Sequence, residues 1–293
     1  MSLNGWLIYS IPEAERNRRN ISFYLEESAK IGIKIDVLYR EYIKTGIEQG
    51  VLMLKYNGEA KTLPDFVICR TIDPALSRQL EMLGIPVFNS SFVAEVTGDK
   101  ARTYQYLAGK NIPMPDTLFV KPWEAVPTFT AEKFPLVAKP CCGRGGYAVE
   151  LIHSQQRLEE YAAERKNNGE DFVLQRPAAM SGRDLRVYVI GKEPIAAMLR
   201  ISSGEDIRAN FCLGGEAKRY NLTGCELALV ERIATQFDFG LVGVDFLFDS
   251  DGSLMLNEIE DVVGARMIYT YTDINLVGRY LEYIVKRLKG EEK

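Results

Sequence analysis

The chain has 293 residues, 46% of them hydrophobic, enough for roughly two domains with cores of their own and too many for a disordered chain. Its 36 basic and 40 acidic residues are well mixed and leave a net charge of -4, so there is no basic stripe for general nucleic-acid binding and a small-molecule partner is expected. Five cysteines at irregular spacings (Cys69, Cys141, Cys142, Cys212, Cys225) form neither a disulfide framework nor a CxxC zinc site, which suits a reducing cytoplasm.

The opening "MSLNGWLIYS" lacks a basic region followed by an apolar stretch and a cleavage site, and no later segment reaches about 18 apolar residues, so a soluble, unprocessed chain with no membrane partner is expected. "WLIYS" reads as a strand, "RRNISFYLEESAKIG" as a helix ended by Gly32, and "IKIDVLY" as a second strand. "DFVICR" adds a strand, "DPALSRQLEMLG" a helix with Pro74 near its start and Gly84 after it, and "IPVFN" another strand. These make residues 1–96 a small parallel α/β domain. A linker and helix follow in "EVTGDKARTYQYLAGK", and beyond the proline-rich "NIPMPDTLFVKPWEAVP" the pattern changes to hairpins with interspersed helices.

His153 is the single histidine and directly precedes a helix-start signal at Ser154. Ser-His-Asp and Cys-His nucleophile systems, HExxH zinc sites and histidine-rich metal centres therefore have too little to work with. Neither GxxxxGK[ST] nor a GxGxxG after the first strand is present, which removes the P-loop and the dinucleotide fingerprint.

Lys100 follows "TGD" and falls in a first helical turn, where the macrodipole disfavours a cation by about 0.3–1 kcal/mol and a bound polyphosphate would reverse the preference. An exposed lysine tolerates the position equally well. "FPLVAKPCCGRGGYAVELI" reads as strand, glycine-rich loop, strand, with Lys139 at the end of the first strand; Gly143, Gly145 and Gly146 would let backbone N-H groups approach an anion. A bare hairpin loop is the alternative. In "FVLQRPA", Pro177 has no N-H, so a nucleobase edge could use the carbonyl of Arg176 and the N-H of Ala178. Arg183, Arg186, Arg200 and Arg208 lie in or beside apolar strands, where a guanidinium fork serves either carboxylate and phosphate recognition or a structural ion pair.

"FGLVGVDFLFDSDGSLMLNEIE" holds two apolar runs separated by Asp251-Gly252, the signal for a two-residue type I′ turn. Counting outward from that turn pairs Ser250 with Ser253 and places Asp245 opposite Glu258. Like charges so paired are destabilising by roughly 0.2–1 kcal/mol even when exposed, so something positive should lie between them. Glu260 follows on the same face opposite Gly243, which is expected to leave room for a ligand. Three carboxylates without a nearby histidine or thiol make a hard oxygen site suited to Mg²⁺ with phosphate oxygens. A solvated strand end, with the acids paired to lysines or arginines, is the competing reading.

In this order the segments "TGDKARTYQYLAGKNIPMPDT", "FPLVAKPCCGRGGYAVELI", "FVLQRPA", "GRDLRVYVIGKEPIAAMLR", "DIRANFCLGGEAKRYNLT" and "GLVGVDFLFDSDGSLMLNEIE" resemble the ATP-grasp superfamily, most closely its RimK-like branch. The resemblance implies a Rossmann-like parallel α/β domain at 1–96, an ATP-grasp central subdomain with the glycine-rich loop at 97–175 and a C-terminal subdomain with the metal site at 176–293, the last two being α+β units that clasp ATP. It implies nucleotide contacts from Lys100, Lys139, Gly143, Gly145, Gly146, Gln175, Arg176, Ala178 and Asp184, and Mg²⁺, or Mn²⁺, on Asp245, Glu258 and Glu260. Arg200, Arg208 and Asn210 would lie near the reacting groups. The implied reaction is ATP-dependent carboxylate-amine ligation through an acyl phosphate, on an amino acid or peptide; a phosphotransferase and a non-catalytic nucleotide-binding protein are the other expectations. Three departures stand out: Glu258-Ile259-Glu260 where the family usually has Glu-x-Asn, Arg176 at the hinge where an acidic residue is common, and "DVVGARMIYTYTDIN" in place of the usual small-residue segment, which would turn Arg266 toward a substrate. An oligomer would be ordinary.

Overall fold

A computed structural model describes residues 3–143, 145–180, 182–202 and 216–291. Arg208, Asn210 and Cys212 lie outside the described residues.

The first unit begins with β1 (Asn4–Tyr9), α1 (Ile11–Arg16), α2 (Arg18–Lys30) and β2 (Lys34–Tyr39). The hydroxyl of Ser10 accepts from the N-H of Glu13 and caps α1, and Gly32 at φ +72 turns the chain out of α2 as its position suggests. A three-stranded antiparallel sheet then forms from β3 (Ile43–Glu48), β4 (Val51–Tyr56) and β5 (Glu59–Ala60), a meander that the sequence reading passes over. Its signals are present in the sequence: Gln49-Gly50 and Asn57-Gly58 are two-residue connections with positive φ at all four positions, as type I′ turns require. β6 (Phe66–Cys69), α3 (Pro74–Met82), β7 (Val87–Phe88) and α4 (Ser91–Thr97) complete the unit, and β2-β1-β6-β7 is an all-parallel sheet.

Next come α5 (Lys100–Leu107), β8 (Thr117–Val120), β9 (Leu136–Pro140), β10 (Glu150–Ile152), α6 (Gln155–Asn168) and β11 (Phe172–Gln175). Their strands form an antiparallel sheet in the order β10-β9-β11-β8. Leu158 and Tyr161 of α6 pack on its buried face with Leu136, Ala138, Phe172 and Leu174. His153 sits exposed just before α6, whose N-cap is Ser154.

The last unit holds β12 (Arg183–Ile190), β13 (Glu193–Ile201), β14 (Glu216–Tyr220), α7 (Gly224–Ala234), β15 (Leu241–Phe248), β16 (Leu254–Glu260), α8 (Arg266–Tyr271) and α9 (Leu276–Lys289). Its five-stranded antiparallel sheet runs β14-β13-β12-β15-β16. One core joins this unit to the first: Leu7, Tyr9, Tyr24, Phe66 and Ile68 pack with Tyr188, Met198, Tyr280, Leu281 and Ile284. Apolar residues of α9 recur at helical spacing (Leu276, Tyr280, Leu281, Ile284), which presents a continuous face to that core. Among the described residues no helix is long and apolar enough to cross a membrane.

The β15–β16 turn corrects one expectation and keeps its consequence. The N-H of Asp249 donates to the Ser253 carbonyl at 2.9 Å and that of Gly252 to the Asp249 carbonyl at 3.0 Å, so the connection has three residues, with Gly252 at φ +83. A type I turn followed by a left-handed glycine is the usual three-residue solution. This shifts the register by one, to Phe248 opposite Leu254, and a bulge at Asn257 shifts it back, so that Asp245 still faces Glu258 and Gly243 faces Glu260.

Candidate functional site: a carboxylate cluster beside a glycine-rich loop

The hairpin brings Asp245, Glu258 and Glu260 together, each offering a carboxylate oxygen within 4.8 Å of the others. They are not equally available. Asp245 is fully buried in the middle of the five-stranded sheet. Arg186, its cross-strand partner on β12, donates from Nε to Oδ1 at 2.7 Å and from Nη2 to Oδ2 at 2.6 Å. Arg200 on β13 adds a third bond to Oδ2 at 2.7 Å. A carboxylate has about four lone-pair sites, so one remains on Asp245. Burial works to raise the Asp245 pKa, but the two guanidiniums outweigh it and hold the carboxyl below its ordinary value. Arg186 also reaches Glu260 at 2.9 Å.

The positive charge expected between the acids is therefore supplied from within the sheet. The space opposite Glu260 is likewise not left for a ligand: a Cβ at Gly243 would meet Val263 Cγ2 at 2.6 Å and Arg186 Nε at 3.4 Å. The glycine admits the arginine and the valine. Glu258 is the least committed of the three acids, a quarter exposed, with Lys100 Nζ at 3.4 Å.

Lys100 is the first residue of α5, with Asp99 as N-cap, and its N-H donates to the Cys141 carbonyl at 2.9 Å. Its ammonium bridges Glu258 and the carbonyl of Gly143, the latter at 3.3 Å. A cavity of about 300 Å³ is lined here by Lys100, Cys142, Gly143, Glu258 and Glu260. Cys142 is exposed in it, whereas Cys141 is buried in the packing. Lys139 is buried next to this cluster on β9 and donates to Asn257 Oδ1 at 2.9 Å. Burial lowers its pKa to about 8, against the opposing pull of Glu258 and with the help of Lys100. The hydroxyl of Tyr104 donates to the Asn257 carbonyl at 2.6 Å, so the bulged residue is held through both its side chain and its backbone. The sequence reading gave Asn257 no role; its one signal is a polar residue interrupting an apolar run.

A second cavity, of about 360 Å³, shares Glu260 with the first. Arg186, Arg200 and Glu260 line it together with Gly145, with Arg16 and Arg19 from the first unit, and with Arg266. Arg266, from the segment that departs from the family pattern, is one of the lining residues. Arg200 forms a bidentate pair with Asp184 at 2.5 and 2.6 Å, and burial pushes the Asp184 carboxyl up. Asp184 lines neither cavity, and its oxygens are committed to Arg200. Gln175 turns its amide to Thr117 Oγ1, on the residue it faces across the sheet, at 2.8 Å. Arg183 stacks on the Phe248 ring and enters neither cavity.

Three hard carboxylates within reach of one point, with lysines and glycine-rich backbone beside them, fit a divalent cation together with phosphate oxygens. An antiparallel sheet bearing a glycine-rich loop, a second carrying the acids and a parallel domain ahead of both define an ATP-grasp protein. Residues 97–284 match the RimK-like ATP-grasp domain. A probable alpha-L-glutamate ligase of Legionella pneumophila (strain Corby) is 33% identical over 222 residues, covering 73% of this chain and 72% of that protein. The RimK domain protein ATP-grasp from Sphaerobacter thermophilus superposes with a TM-score of 0.71 at 18% identity, over 96% of this chain and 98% of that one. The ATP-grasp ligase PsnB, in complex with minimal precursor, Mg and ADP, does so with a TM-score of 0.69 at 16% identity, over 97% and 98%. At such identities these two likenesses speak for the fold. The chain belongs to the RimK-like ATP-grasp family and is an ATP-dependent carboxylate-amine ligase.

Proposed function

We propose that this ligase binds ATP with Mg²⁺ or Mn²⁺ at the carboxylate cluster and joins an acidic amino acid or peptide to an amine-bearing partner of the same kind. The observation that carries this reading is the meeting of Glu258 and Glu260 with Lys100 and Gly143 at one cavity, from parts of the chain more than a hundred residues apart. Lys100, Lys139 and the backbone of Gly143, Gly145 and Gly146 would hold the phosphates. The main chain from Arg176 to Ala178 would hold the base, and Asp245, Glu258 and Glu260 the cation. When bound, ATP and the cation supply a γ-phosphoryl group that converts a substrate carboxylate into an acyl phosphate.

An amine then displaces phosphate, so that a C-N bond forms as the C-O bond to phosphate breaks and the amine proton is released. Protein side chains need only position charge, which a chain with a single histidine can do. Arg16, Arg19 and Arg266 line the second cavity with little opposing charge and would draw in carboxylates. The glutamate ligase named among the relatives supports that choice of substrate. Free thiols at Cys69, Cys141, Cys142 and Cys225 suit a cytoplasmic setting.

The test is phosphate release from ATP and Mg²⁺ with glutamate and short acidic peptides, each alone and in pairs. Release that requires both a carboxylate and an amine, with an amide product seen by mass spectrometry, is expected. A phosphorylated product without free phosphate would instead identify a phosphotransferase, and silence across the panel would remove the assignment of substrates.

A further inference from the structure

The two strands that carry the acids are joined by their turn at one end only, at Ser250 to Gly252, while the acids lie at the opposite, open end. That open end is closed by a residue from the first unit. Asn89 is buried and its Nδ2 donates to two carbonyls, Leu241 at the entry of β15 at 2.9 Å and Asp261 at the exit of β16 at 2.8 Å. Its Oδ1 accepts from the N-H of Gly240 at 2.6 Å. One side-chain amide therefore spans both strands, one residue beyond Glu260 and two before Gly243. Arg70, also buried and also from the first unit, donates from Nη2 to the Val263 carbonyl at 2.7 Å and extends the attachment along the same segment. Both residues precede the region matched by the family domain, which starts at residue 97.

We infer that Asn89 is a positioning residue for the cation site: it fixes the separation of β15 and β16 at their open end, and with it the spacing of the Asp245, Glu258 and Glu260 oxygens. The inference rests on the cation reading proposed above. A small divalent cation demands near-ideal oxygen geometry, so a slight splay of the two strands costs affinity before it costs fold. The bonds of Asn89 end on backbone groups at the strand ends, Gly240, Leu241 and Asp261, so no other side chain has to transmit the effect. The parallel domain thereby becomes part of the metal site without offering a ligand to it.

The experiment measures Mn²⁺ uptake by electron paramagnetic resonance in the full-length protein with a nonhydrolysable ATP analogue, alongside the Mg²⁺ dependence of turnover. Asn89→Ala is expected to weaken Mn²⁺ affinity about tenfold, the usual scale for residues that orient metal ligands, and to move half-maximal turnover to higher Mg²⁺ with kcat recovered at saturation. Leu80→Ala, a core truncation in the same domain that touches neither strand, should lower the melting temperature and leave Mn²⁺ affinity unchanged. Should Asn89→Ala not fold, Asn89→Ser, which keeps one donor, gives the same shift at smaller size. Unchanged Mn²⁺ affinity in the Asn89 variants, or an equal shift in Leu80→Ala, overturns this inference alone. Failure of the unaltered protein to take up Mn²⁺ overturns the cation site and the inference with it.

Discussion

The β15–β16 hairpin and the segment joining β9 to β10 flank the same cavity, yet they prepare it with different parts of the chain. On the hairpin the working groups are side chains, and the most buried, Asp245, is locked by three charge-assisted hydrogen bonds before any ligand arrives. On the β9–β10 segment the proposed phosphate contacts are main chain: Gly143, Gly145 and Gly146 all have positive φ, at 149°, 66° and 76°. A side-chain site fails when a charge is deleted, because its partners are left buried and unbalanced. A backbone site tolerates deletions and fails when a Cβ is added where φ excludes one.

The contrast can be broken most severely at Asp245. Removing its carboxylate in Asp245→Ala strips buried Arg186 of its bidentate partner and buried Arg200 of one acceptor, leaving them Glu260 and Asp184 alone, and urea unfolding should show a loss of roughly 3–5 kcal/mol. A stability close to that of the unaltered protein would mean that solvent reaches the arginines.

Glu258→Ala should do the reverse, because Glu258 is partly exposed and pairs with Lys100 at 3.4 Å. Turnover should fall by at least about 100-fold with the melting temperature nearly unchanged. Retained kcat would dissolve the metal assignment.

Lys139 tests whether the glycine side also relies on one charge. Lys139→Met should cost nucleotide affinity about 1.5–3 kcal/mol, measured by calorimetry. Burial has lowered its pKa to about 8, so its ammonium is present below that pH and lost above it. Nucleotide affinity of the unaltered protein should therefore decline from pH 7 to pH 9, with proton uptake on binding near pH 8, and the slope should flatten in the variant. A slope that survives the substitution would shift the titration to another group.

The smallest effect is expected at Gly143, where φ of 149° excludes a side chain although its space is open apart from Tyr147 at 3.7 Å. Gly143→Ala should strain the backbone by about 1 kcal/mol, seen as a several-fold rise in the KM for ATP at unchanged kcat. A variant indistinguishable from the original would show that this glycine serves the turn and not the phosphate.

The parts of the molecule legible from sequence were those fixed by local chemistry. Caps at Asp73, Asp99 and Ser154 and the stop at Gly32 lie where residue type alone requires them. The facing of Asp245 and Glu258 was also anticipated, but through an assumed two-residue turn. The three-residue turn and the bulge at Asn257 cancel, and neither leaves a clear mark in a pattern of alternating residues. The meander at 43–60 is readable from Gln49-Gly50 and Asn57-Gly58, each the residue pair of a tight two-residue turn. What sequence could not supply was tertiary: that Arg186 and Arg200 complete the acids, that Asp184 answers Arg200, and that Asn89 crosses some 150 residues of chain to close a hairpin.

Gly243 carries a consequence out of proportion to its size. Since a methyl of Val263 occupies the volume where a side chain would stand, with the guanidinium of Arg186 in contact beside it, even alanine there would have to displace the valine. The displaced valine would press on the guanidinium beside it, so a neutral, one-carbon change could disturb the bidentate bond to Asp245 without touching either charge. In any attempt to redesign this enzyme, that vacancy in the side-chain pattern is worth as much protection as the ionic groups it accommodates.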